Sequence, residues 1–559
     1  MSERTYEAPG PGTWELDATH LSKPLTLYTS SIFPDSLVRG FKEGTERYGL
    51  FLSHLQPVFI HGFCYMKPML AFVPEDAPPG PPPDGFFEQP DLVARFDRGK
   101  KAIENKLWRE DLRRWDEEVK PDSIRRNQKL QSVNPTSLDT EALIQHMVDC
   151  YENLDEMWYR HHIFTIPSLI PTGLYIGKVC QWTEATPGEV LNLLKGSSPV
   201  SLGLAATELE ELAKYLNQEG VGPDQFSAQS AGDTLQALRS CPAPIGPAVE
   251  QYLDIVGYQL TSGYDITERY ALETPEILVA NIWSALAKTD TTNGESDAKE
   301  LLRSIRNKVP AEHQAEFDTL LEEARHNNRL RDERGIYNEA RAFGISRRAV
   351  LEAGKRLEAE GRLHKAAALL HASHEEMLAM LRGESGPGKA ELQERENWYE
   401  SKSTDDAPPF LGPPPEPPPP LEALPENARL QEGAIGAVIG NLFDHSEPET
   451  SPEGVVKGFP VSPGVYEGTA RLIQNPSDFH RLQQGDVLVT KNTSATINVV
   501  LPMLGAIVTD RGGQLSHAAI VAREYGIPGI VGTRNATHII PDGAKVRVDG
   551  TAGTVEVFS

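Results

Sequence analysis

A run of prolines near residue 410 constrains this chain more than any other sequence feature. Residues 408–420 read PPFLGPPPEPPPP. Proline lacks a backbone N–H and fixes φ, so such a run can continue neither a helix nor a central strand. It favours polyproline II, at about 3.1 Å per residue, and is predicted to be a semi-rigid spacer. A surface loop or a ligand for a proline-binding module is the alternative. A second proline-rich patch covers residues 74–83.

The sequence before this spacer is predicted to be mainly α-helical. Residues 101–120 place Ile103, Leu107, Trp108 and Leu112 at helical spacing, with charged residues between them. Such apolar stripes are usually core contacts, and we interpret them as a helical core rather than as ligand contacts. Similar patterns occur at 143–151, 205–217 and 347–360, and 426–444 is a candidate for a further helix beside the linker.

After about residue 455 the pattern changes to short β-rich runs separated by two short helical candidates, near 496–503 and 516–524. This alternation predicts a small α/β domain. The predicted fold class is therefore multi-domain, with a mainly helical domain at 1–383, a proline-rich linker or hinge at 384–454 and the α/β domain at 455–559. The predicted strands are VYEGTARLI, DVLVT, AIVT, GIVG, KVRVDG and GTVEVF.

The charge balance excludes several classes of partner. The chain has 54 basic and 80 acidic residues, for a formal charge of −26. A surface of this sign repels phosphate backbones and anionic lipid, so neither nucleic acid nor membrane is an expected partner. We see no membrane-spanning run and no signal peptide in the sequence. The 4 cysteines are far apart and form no metal-type pairs. We therefore expect a cytoplasmic protein without a metal site of its own.

The stretch DRGGQLSHAAIVAREYGIPGIV, residues 510–531, contains the signals of a strand, a turn and a helix. Gly512 and Gly513 follow the predicted strand AIVT and permit a tight turn. Ser516 is predicted to cap the helix HAAIVARE, which places His517 in its first turn. Free backbone N–H groups and the positive end of the helix dipole favour an anion at that position.

An imidazole at an anion site has a chemical use. Histidine is a nucleophile that forms covalent intermediates, and attack on a phosphoryl group gives a phosphohistidine. The helix terminus would stabilise the added charge, and the two glycines would let the backbone approach it. The positive helix end also favours the neutral, nucleophilic imidazole. A capping histidine with a satisfied ring is the alternative for a lone residue, but the whole motif favours a phosphoryl carrier.

GGQLSHAAIVAREYGIPGIVG resembles the phosphohistidine motif of the phosphoenolpyruvate-utilising mobile domain, the swivelling domain of the dikinases and of rifampicin phosphotransferase. The resemblance covers about residues 455–559 and implies that His517 is the phosphorylated residue, with Ser516, Gly512 and Gly513 around the phosphate. Many members have Thr-Ser-His at this motif. Leu515 replaces that threonine here, so a hydrogen bond from its hydroxyl is absent.

The helical part carries a weaker resemblance to the acceptor-binding region of rifampicin phosphotransferase, in PGTWELDATHLSKPLTLYTSSIF, GYDITERYALETP and residues 327–364. This family has a segment in which two basic residues contact the transferred phosphate. The resemblance implies that role for Arg331, whereas Gly335 occupies the family's lysine position and Arg334 lies one residue earlier. A solvated helix face is the alternative for this Arg-rich and Glu-rich stretch.

The sequence shows neither a Walker-type loop nor a resemblance to the ATP-grasp module. Split systems such as phenylphosphate synthase and 4-hydroxyacetophenone-type phenol kinases are similar to this arrangement. That resemblance implies a separate ATP-grasp subunit that holds ATP and Mg²⁺, with no cofactor bound tightly to this chain. The partner would pass the β-phosphoryl of ATP to His517, with AMP and phosphate as by-products.

Three functions compete at this point. The first is the acceptor and carrier component of an ATP-dependent dikinase that phosphorylates a small, phenolic hydroxyl compound. The second is a phosphocarrier or regulatory protein that passes phosphate to another protein, and the third is a non-catalytic binding module. The intact Gly-Gly-x-x-Ser-His sequence disfavours the third. His20, Asp265 and His61 are open candidates for the base that would activate the acceptor.

Overall fold

The computed structural model describes residues 5–77, 80, 82–198, 204–287, 294–416, 419–442, 454–473, 476–493 and 500–558. The chain forms two compact units, each assembled from separate segments. The first unit contains residues 1–170, 263–268 and 334–435. The second unit contains residues 171–262, 269–333 and 436–559.

Helices dominate the chain, as the sequence predicts. In chain order they are α1 (Leu27–Arg47), α2 (Pro90–Glu104), α3 (Trp108–Arg114), α4 (Lys120–Gln131), α5 (Thr140–Ile163), α6 (Thr165–Thr183), α7 (Pro187–Leu191), α8 (Ala206–Gln218), α9 (Ala231–Arg239), α10 (Ile245–Val256), α11 (Pro275–Ala287), α12 (Gly294–Lys308), α13 (Gln314–Asn328), α14 (Leu330–Tyr337), α15 (Glu339–Ala359), α16 (His374–Leu381), α17 (Lys389–Ser401), α18 (Glu426–Leu442), α19 (His517–Tyr525) and α20 (Ala536–Ile539).

The strands form two sheets. They are β1 (Trp14–Leu16), β2 (Leu52–Ile60), β3 (Phe63–Leu70), β4 (Phe410–Leu411), β5 (Val455–Lys457), β6 (Phe459–Ser462), β7 (Val465–Leu472), β8 (Asp486–Thr490), β9 (Leu504–Thr509), β10 (Gly529–Val531), β11 (Lys545–Asp549) and β12 (Thr554–Phe558). The first unit holds a sheet of order β2-β3-β1-β4, and the second holds one of order β5-β12-β11-β7-β8-β9-β10-β6. A multi-domain fold with a helical part and an α/β part, as predicted, is confirmed.

The sheet of the first unit was not predicted. β2 and β3 form a hairpin whose turn residues His61 and Gly62 both have positive φ, 55° and 87°, as a tight hairpin turn of the I′ kind needs. Pro57 and Pro68 lie within these strands and hide the pattern, since proline within a run argues against a central strand. The structure tolerates Pro57 because β2 is an edge strand.

The proline-rich run after residue 407 contains the short strand β4 and a bend at Gly412, where φ is 85°, and its first residues are attached to the first unit. Its role as a spacer stays a prediction. Leu411 pairs with Trp14 across β4 and β1. The hydroxyl of Tyr65 donates to the carbonyl oxygen of Pro408 at 2.9 Å, and Thr13 Oγ1 donates to that of Pro413 at 3.0 Å. Residues 417 and 418 of this run, and 78, 79 and 81 of the earlier proline patch, lie outside the described residues.

The α/β part of the second unit has a parallel centre. β7, β8, β9 and β10 pair in parallel, whereas β5, β12, β11 and β6 join antiparallel. Alternate residues of the central strands face opposite sides. One face packs on α19 through residues that include Leu488, Ile507, Ala518 and Val521. The other face packs on α20 through Val487, Val489, Ala506, Val508, Ile530, Ala536 and Ile540.

Most predicted elements of this part are present. The six predicted strands correspond to β7, β8, β9, β10, β11 and β12, and the second helical candidate corresponds to α19. The first helical candidate, near 496–503, lies largely outside the described residues, which resume at residue 500. The short strands β5 and β6 were not predicted as such, because each has only three or four residues.

One helical stretch passes the test for a membrane span. Thr140–Thr183, formed by α5 and α6, is long and apolar enough by length and composition, although the sequence reading found no such span. Of the most apolar window in this stretch, 78% is buried inside the protein. This burial is typical of a core helix of a soluble protein.

Candidate functional site

The helix α19 begins at the position predicted for the phosphohistidine motif. Ser516 has extended backbone angles and its side chain accepts a hydrogen bond from the N–H of Ala519, so it is the N-cap. His517 is the first residue of the helix. Its ring therefore stands beside the N–H groups of the first turn, which have no carbonyl partner within the helix. Gly526, with φ at 66°, ends the helix.

Two glycines shape the loop before this helix. Gly512 has φ at 102°, a region that side chains rarely adopt, and a Cβ there would lie 2.7 Å from the Cβ of Ser516. At Gly513 a Cβ would lie only 2.3 Å from the carbonyl oxygen of Asn441. The N–H of Gly513 donates to the carbonyl oxygen of Leu442 at 3.0 Å, and that of Leu515 donates to Asn441 at 3.0 Å. The end of α18 thus holds this loop through backbone hydrogen bonds.

Thr493 supplies a hydroxyl to the histidine. Its Oγ1 lies 3.1 Å from Nδ1 of His517. When Nδ1 carries the proton and donates it to Thr493, the lone pair stays on Nε2, which becomes the nucleophilic atom. Leu515 lacks the hydroxyl that the threonine of the family motif would supply. Thr493, in the segment that follows strand β8, provides a hydroxyl instead. Sequence reasoning missed it, although the carboxyl ends of adjacent parallel strands meet at one edge of a sheet.

Two arginines bind the loop that leads into the histidine. Arg331 on α14 donates from Nη2 to the carbonyl oxygen of Leu515. Arg523 on α19 donates from Nη2 to the carbonyl oxygen of Gln514 at 2.8 Å. Burial and the charge of Arg331 lower the pKa of Arg523 to about 9. The two guanidinium groups give this edge a positive potential, which suits a phosphoryl group. No sequence signal pointed to Arg523.

The imidazole of His517 is held in its neutral form. Burial lowers its pKa to about 4; the carboxylate of Asp332 opposes this change and the charge of Arg331 adds to it. The direction agrees with the sequence expectation, but burial rather than the helix end is the largest cause. Asp332 itself accepts a hydrogen bond from Ser198 Oγ at 2.7 Å. At neutral pH the ring is therefore available as a nucleophile.

The structure does not bring every predicted site residue together. His517, Ser516, Gly512, Gly513 and Arg331 all belong to the second unit. Arg334 lies on the same helix as Arg331 but belongs to the first unit. There its Nη1 donates to the carbonyl oxygen of His161 at 3.1 Å and to Thr165 Oγ1 at 2.6 Å. The role of these residues toward phosphate stays a prediction.

The three candidates for a base differ in their surroundings. Asp265 accepts hydrogen bonds from the N–H and hydroxyl of Thr26 at 2.8 and 3.0 Å, and it secures the start of α1. His61 occupies the hairpin turn, with Nε2 2.9 Å from the carbonyl oxygen of Thr5. Both have structural tasks. His20 is half-exposed and its Nδ1 lies 3.0 Å from Asp17 Oδ1.

Within the described part of the chain, no group of three or more His, Cys, Asp and Glu side chains is placed to hold a metal ion. The cysteines there are free thiols at Cys64, Cys150, Cys180 and Cys241. The expectation that Mg²⁺ and ATP bind mainly to a partner subunit stays a prediction.

Comparison with known proteins agrees with this geometry. Residues 482–553 match the family "PEP-utilising enzyme, mobile domain". The chain is 29% identical over 318 residues to the uncharacterized phosphotransferase YvkC of Bacillus subtilis, which covers 56% of this chain and 36% of that protein. It is 44% identical over 110 residues to rifampicin phosphotransferase of Bacillus subtilis, covering 20% and 13% of the two chains.

A phosphoenolpyruvate synthase of Aeropyrum pernix is 47% identical over 112 residues, covering 20% of this chain and 14% of that protein. The alignments thus span about a third of the first relative and less of the others. The shared segment contains His517 and the loop that presents it. The match therefore identifies residues 482–553 as a mobile domain of the kind found in PEP-utilising enzymes, and the relatives that align with this chain are phosphotransferases and a phosphoenolpyruvate synthase.

Proposed function

We propose that this chain is the acceptor and carrier component of a cytoplasmic phosphotransferase of the dikinase type. His517 takes up a phosphoryl group and passes it to a hydroxyl of a small phenolic acceptor. The observation that carries the proposal is the arrangement around His517. A neutral imidazole stands at a helix N-terminus, its Nδ1 3.1 Å from a hydroxyl, beside a loop bound by two guanidinium groups.

The first half-reaction is a displacement at phosphorus. The lone pair of Nε2 attacks the phosphoryl group, a P–N bond forms, and the bond from phosphorus to the leaving oxygen of the donor breaks. Phosphoryl transfer depends mainly on positioning and on neutralising charge. The N–H groups of the first turn of α19 and the guanidinium of Arg523 supply positive charge next to the phosphate. Thr493 keeps the ring in the orientation that exposes Nε2.

The second half-reaction reverses the roles. The oxygen of the acceptor attacks phosphorus, a P–O bond forms, and the electron pair of the P–N bond returns to the ring of His517. A phenol suits this step because it ionises far more readily than an alcohol, with a pKa of about 10 in the case of tyrosine. Arg331 and Arg334 are proposed to bind the phosphate oxygens during transfer, since guanidinium matches them in geometry and charge.

The donor side is proposed to lie on a separate ATP-grasp subunit. That subunit would hold ATP and Mg²⁺ and deliver the β-phosphoryl group, leaving AMP and phosphate. Two observations support this division: the sequence has no Walker-type loop, and the described residues offer no cluster suited to Mg²⁺.

The proposal is tested in two stages. First, the purified protein and His517→Ala are treated with phosphoramidate, and peptides are mapped for acid-labile phosphate. We expect label on His517 that the variant lacks. Second, the loaded protein receives phenol, and aryl phosphate is measured as the label leaves. Product formed equally by His517→Ala would refute the mechanism. A loaded protein that transfers its label to another protein but never to a phenol would favour the phosphocarrier alternative.

The donor is tested separately, with ATP labelled at its middle phosphate and a stand-alone ATP-grasp protein encoded beside this chain. Label on His517 with release of AMP supports the split dikinase. Label that enters product without ever appearing on His517 contradicts it.

A further inference from the structure

A polar cluster lies inside the first unit, whereas the residues that present His517 belong to the second. His161 on α5 and Glu339 at the start of α15 form its centre. Nδ1 of His161 lies 2.8 Å from Oε1 of Glu339, and the side chains are 15% and 1% exposed. We call this pair the dyad: the two atoms are at ion-pair distance, and a hydrogen bond between them would let the carboxylate set the orientation and tautomer of the ring.

The dyad lies beside a positive group and beside a glycine. Arg334 donates from Nη1 to the carbonyl oxygen of His161 itself and to Thr165 Oγ1. Gly335 follows, and a Cβ there would lie 3.1 Å from Oε1 of Glu339 and 3.7 Å from the His161 ring. A longer side chain at this position would press against the dyad, so glycine lets α14 pass close to it.

Aromatic rings line the same place. The ring of Trp158 lies 5.8 Å from that of His161 and 5.8 Å from that of Tyr264. The ring of His162 stacks on the indole of Trp158, with 5.4 Å between the ring centroids and 11° between the ring planes. Surfaces of this kind bind planar aromatic molecules through stacked or edge-to-face contacts.

The edge of the cluster is formed by a second histidine and carboxylate pair. His20 is 48% exposed and Asp17 is 7% exposed, with Nδ1 and Oδ1 3.0 Å apart. His20 is close enough for its charge to act on both His161 and His162. The cluster thus contains one half-exposed and one buried histidine that influence each other electrostatically.

We propose that His161 is the catalytic base of the acceptor half-reaction, that Glu339 is its positioning residue, and that the acceptor is a planar phenol bound against Trp158 and Tyr264. This inference rests on the proposed function. Nε2 of His161 takes the hydroxyl proton as the phenolic oxygen attacks phosphorus. The P–N bond of the phosphohistidine breaks, its electron pair returns to His517, and the proton on His161 is then released to water.

Protonation of the dyad gives the step a pH signature. Burial lowers the pKa of His161 well below 6.5, and Arg334, His162 and His20 act in the same direction. Burial raises the pKa of Glu339 well above 4.5, against the charge of Arg334. A protonated Glu339 donates to Nδ1 and leaves the proton of the neutral ring on Nε2, so the dyad is inactive. It becomes a base only as Glu339 ionises, so transfer to phenol should rise with pH and then level off.

The test uses the full chain, loaded at His517 with phosphoramidate, and two probes. Phenol keeps its proton at neutral pH, whereas 4-nitrophenol ionises near neutral pH and needs no base. We expect His161→Gln to slow transfer to phenol by about 10²-fold or more, and to change transfer to 4-nitrophenol little. With phenol as acceptor, the residual rate of His161→Gln should rise about tenfold per pH unit, because the fraction of phenol present as phenolate rises by that factor. The plateau expected for the wild type should be absent.

Glu339→Gln should also lose the plateau in the pH profile of transfer to phenol, but its rate should fall less than that of His161→Gln. His146→Gln, a buried histidine on the same helix, is the matched control and should retain both the rate and the plateau. Equal losses with both phenols for His161→Gln would indicate a structural role and overturn the inference.

Failure of the proposed function looks different. In that case the wild type would load at His517 and transfer to neither phenol. The role of the dyad would then be tested by measuring hydrolysis of the phosphohistidine, because the attacking water must also lose a proton. Unchanged hydrolysis in His161→Gln would overturn its role as a base, whereas slower hydrolysis with a lost plateau would support it.

Discussion

The hydroxyl of Thr493 and the imidazole of His517 meet at the edge of the second sheet, with Oγ1 3.1 Å from Nδ1. This contact joins the end of one parallel strand to the helix that follows the next. When Nδ1 donates its proton to Thr493, the lone pair is left on Nε2, the nitrogen proposed to accept the phosphoryl group. The tautomer of the proposed carrier thus depends on a residue outside its own motif.

Thr493→Val is expected to slow loading of His517 by phosphoramidate about fivefold, because one hydrogen bond contributes about 1 kcal/mol to the orientation of the ring. Valine keeps the shape of threonine and removes only the hydroxyl. Thr493→Ser keeps the hydroxyl and should load at nearly the rate of the wild type. The rates are measured by peptide mapping over time. If serine and valine were equally slow, the hydroxyl would not be the group that matters.

Gly513→Ala is expected to destabilise the second unit by about 1–3 kcal/mol, the typical cost of forcing a methyl group into a filled space. The added Cβ would meet the carbonyl oxygen of Asn441 at 2.3 Å, so the loop or the end of α18 must move. Gly440→Ala is the control, since nothing lies within 4 Å of its Cβ position. Denaturant unfolding gives the free energies, and comparable losses in both variants would argue against this contact.

Glu524→Gln is expected to remove a loss of stability that develops between about pH 4.5 and 8. Burial raises the pKa of Glu524 from 4.5 to about 7, although its carboxylate accepts the N–H of Gly196 at 2.7 Å. A raised carboxyl pKa means that the folded state holds a proton that the unfolded state has lost. Stability is therefore lost as pH rises towards and through 7 and then levels off, with a contribution of about 1.4 kcal/mol between pH 6 and 8.5.

The measurement for Glu524 is the free energy of unfolding of each variant across this pH range. His517 contributes in the opposite direction between pH 6 and 7.5, because its pKa is 6.5 in the unfolded chain and about 4 in the folded one. The prediction therefore concerns the difference between the Glu524→Gln and wild-type curves. Glu556→Gln, at an exposed position on β12, should leave the pH dependence of the wild type intact. A difference between Glu524→Gln and the wild type that stays constant from pH 6 to 8.5 would contradict the prediction.

Arg331→Ala is expected to leave loading of His517 intact at pH 7 and to slow transfer to the acceptor by about 10–100-fold. A hydrogen bond to a charged group contributes about 1.5–3 kcal/mol, and the guanidinium is proposed to make one to the phosphate in transfer. Loss of its charge leaves Asp332 unopposed beside the ring, so the pKa of His517 should rise from about 4. The acid limit of loading should then move to higher pH. If loading at pH 7 collapsed in this variant, the assignment of Arg331 to the acceptor half-reaction would be wrong.

The sequence by itself determined the local geometry of the carrier motif. A strand, a glycine turn, the cap at Ser516 and the helix start at His517 follow from residues within one short stretch, because capping and turn preferences act between near neighbours. The helical character of the larger part followed in the same way from periodic apolar residues. The first sheet was missed because two prolines in β2 and β3 look like strand breakers until the pairing pattern is known.

Only the tertiary structure decided the chemistry around that motif. Thr493, Arg523 and the carbonyl of Asn441 reach the loop from elements whose packing no periodicity specifies. In the same way, His161 and Glu339 come from two helices far apart in the sequence and form a dyad through burial alone. Local sequence sets backbone conformation over a few residues, whereas pKa values and hydrogen-bond partners depend on which distant side chains share a dry interior.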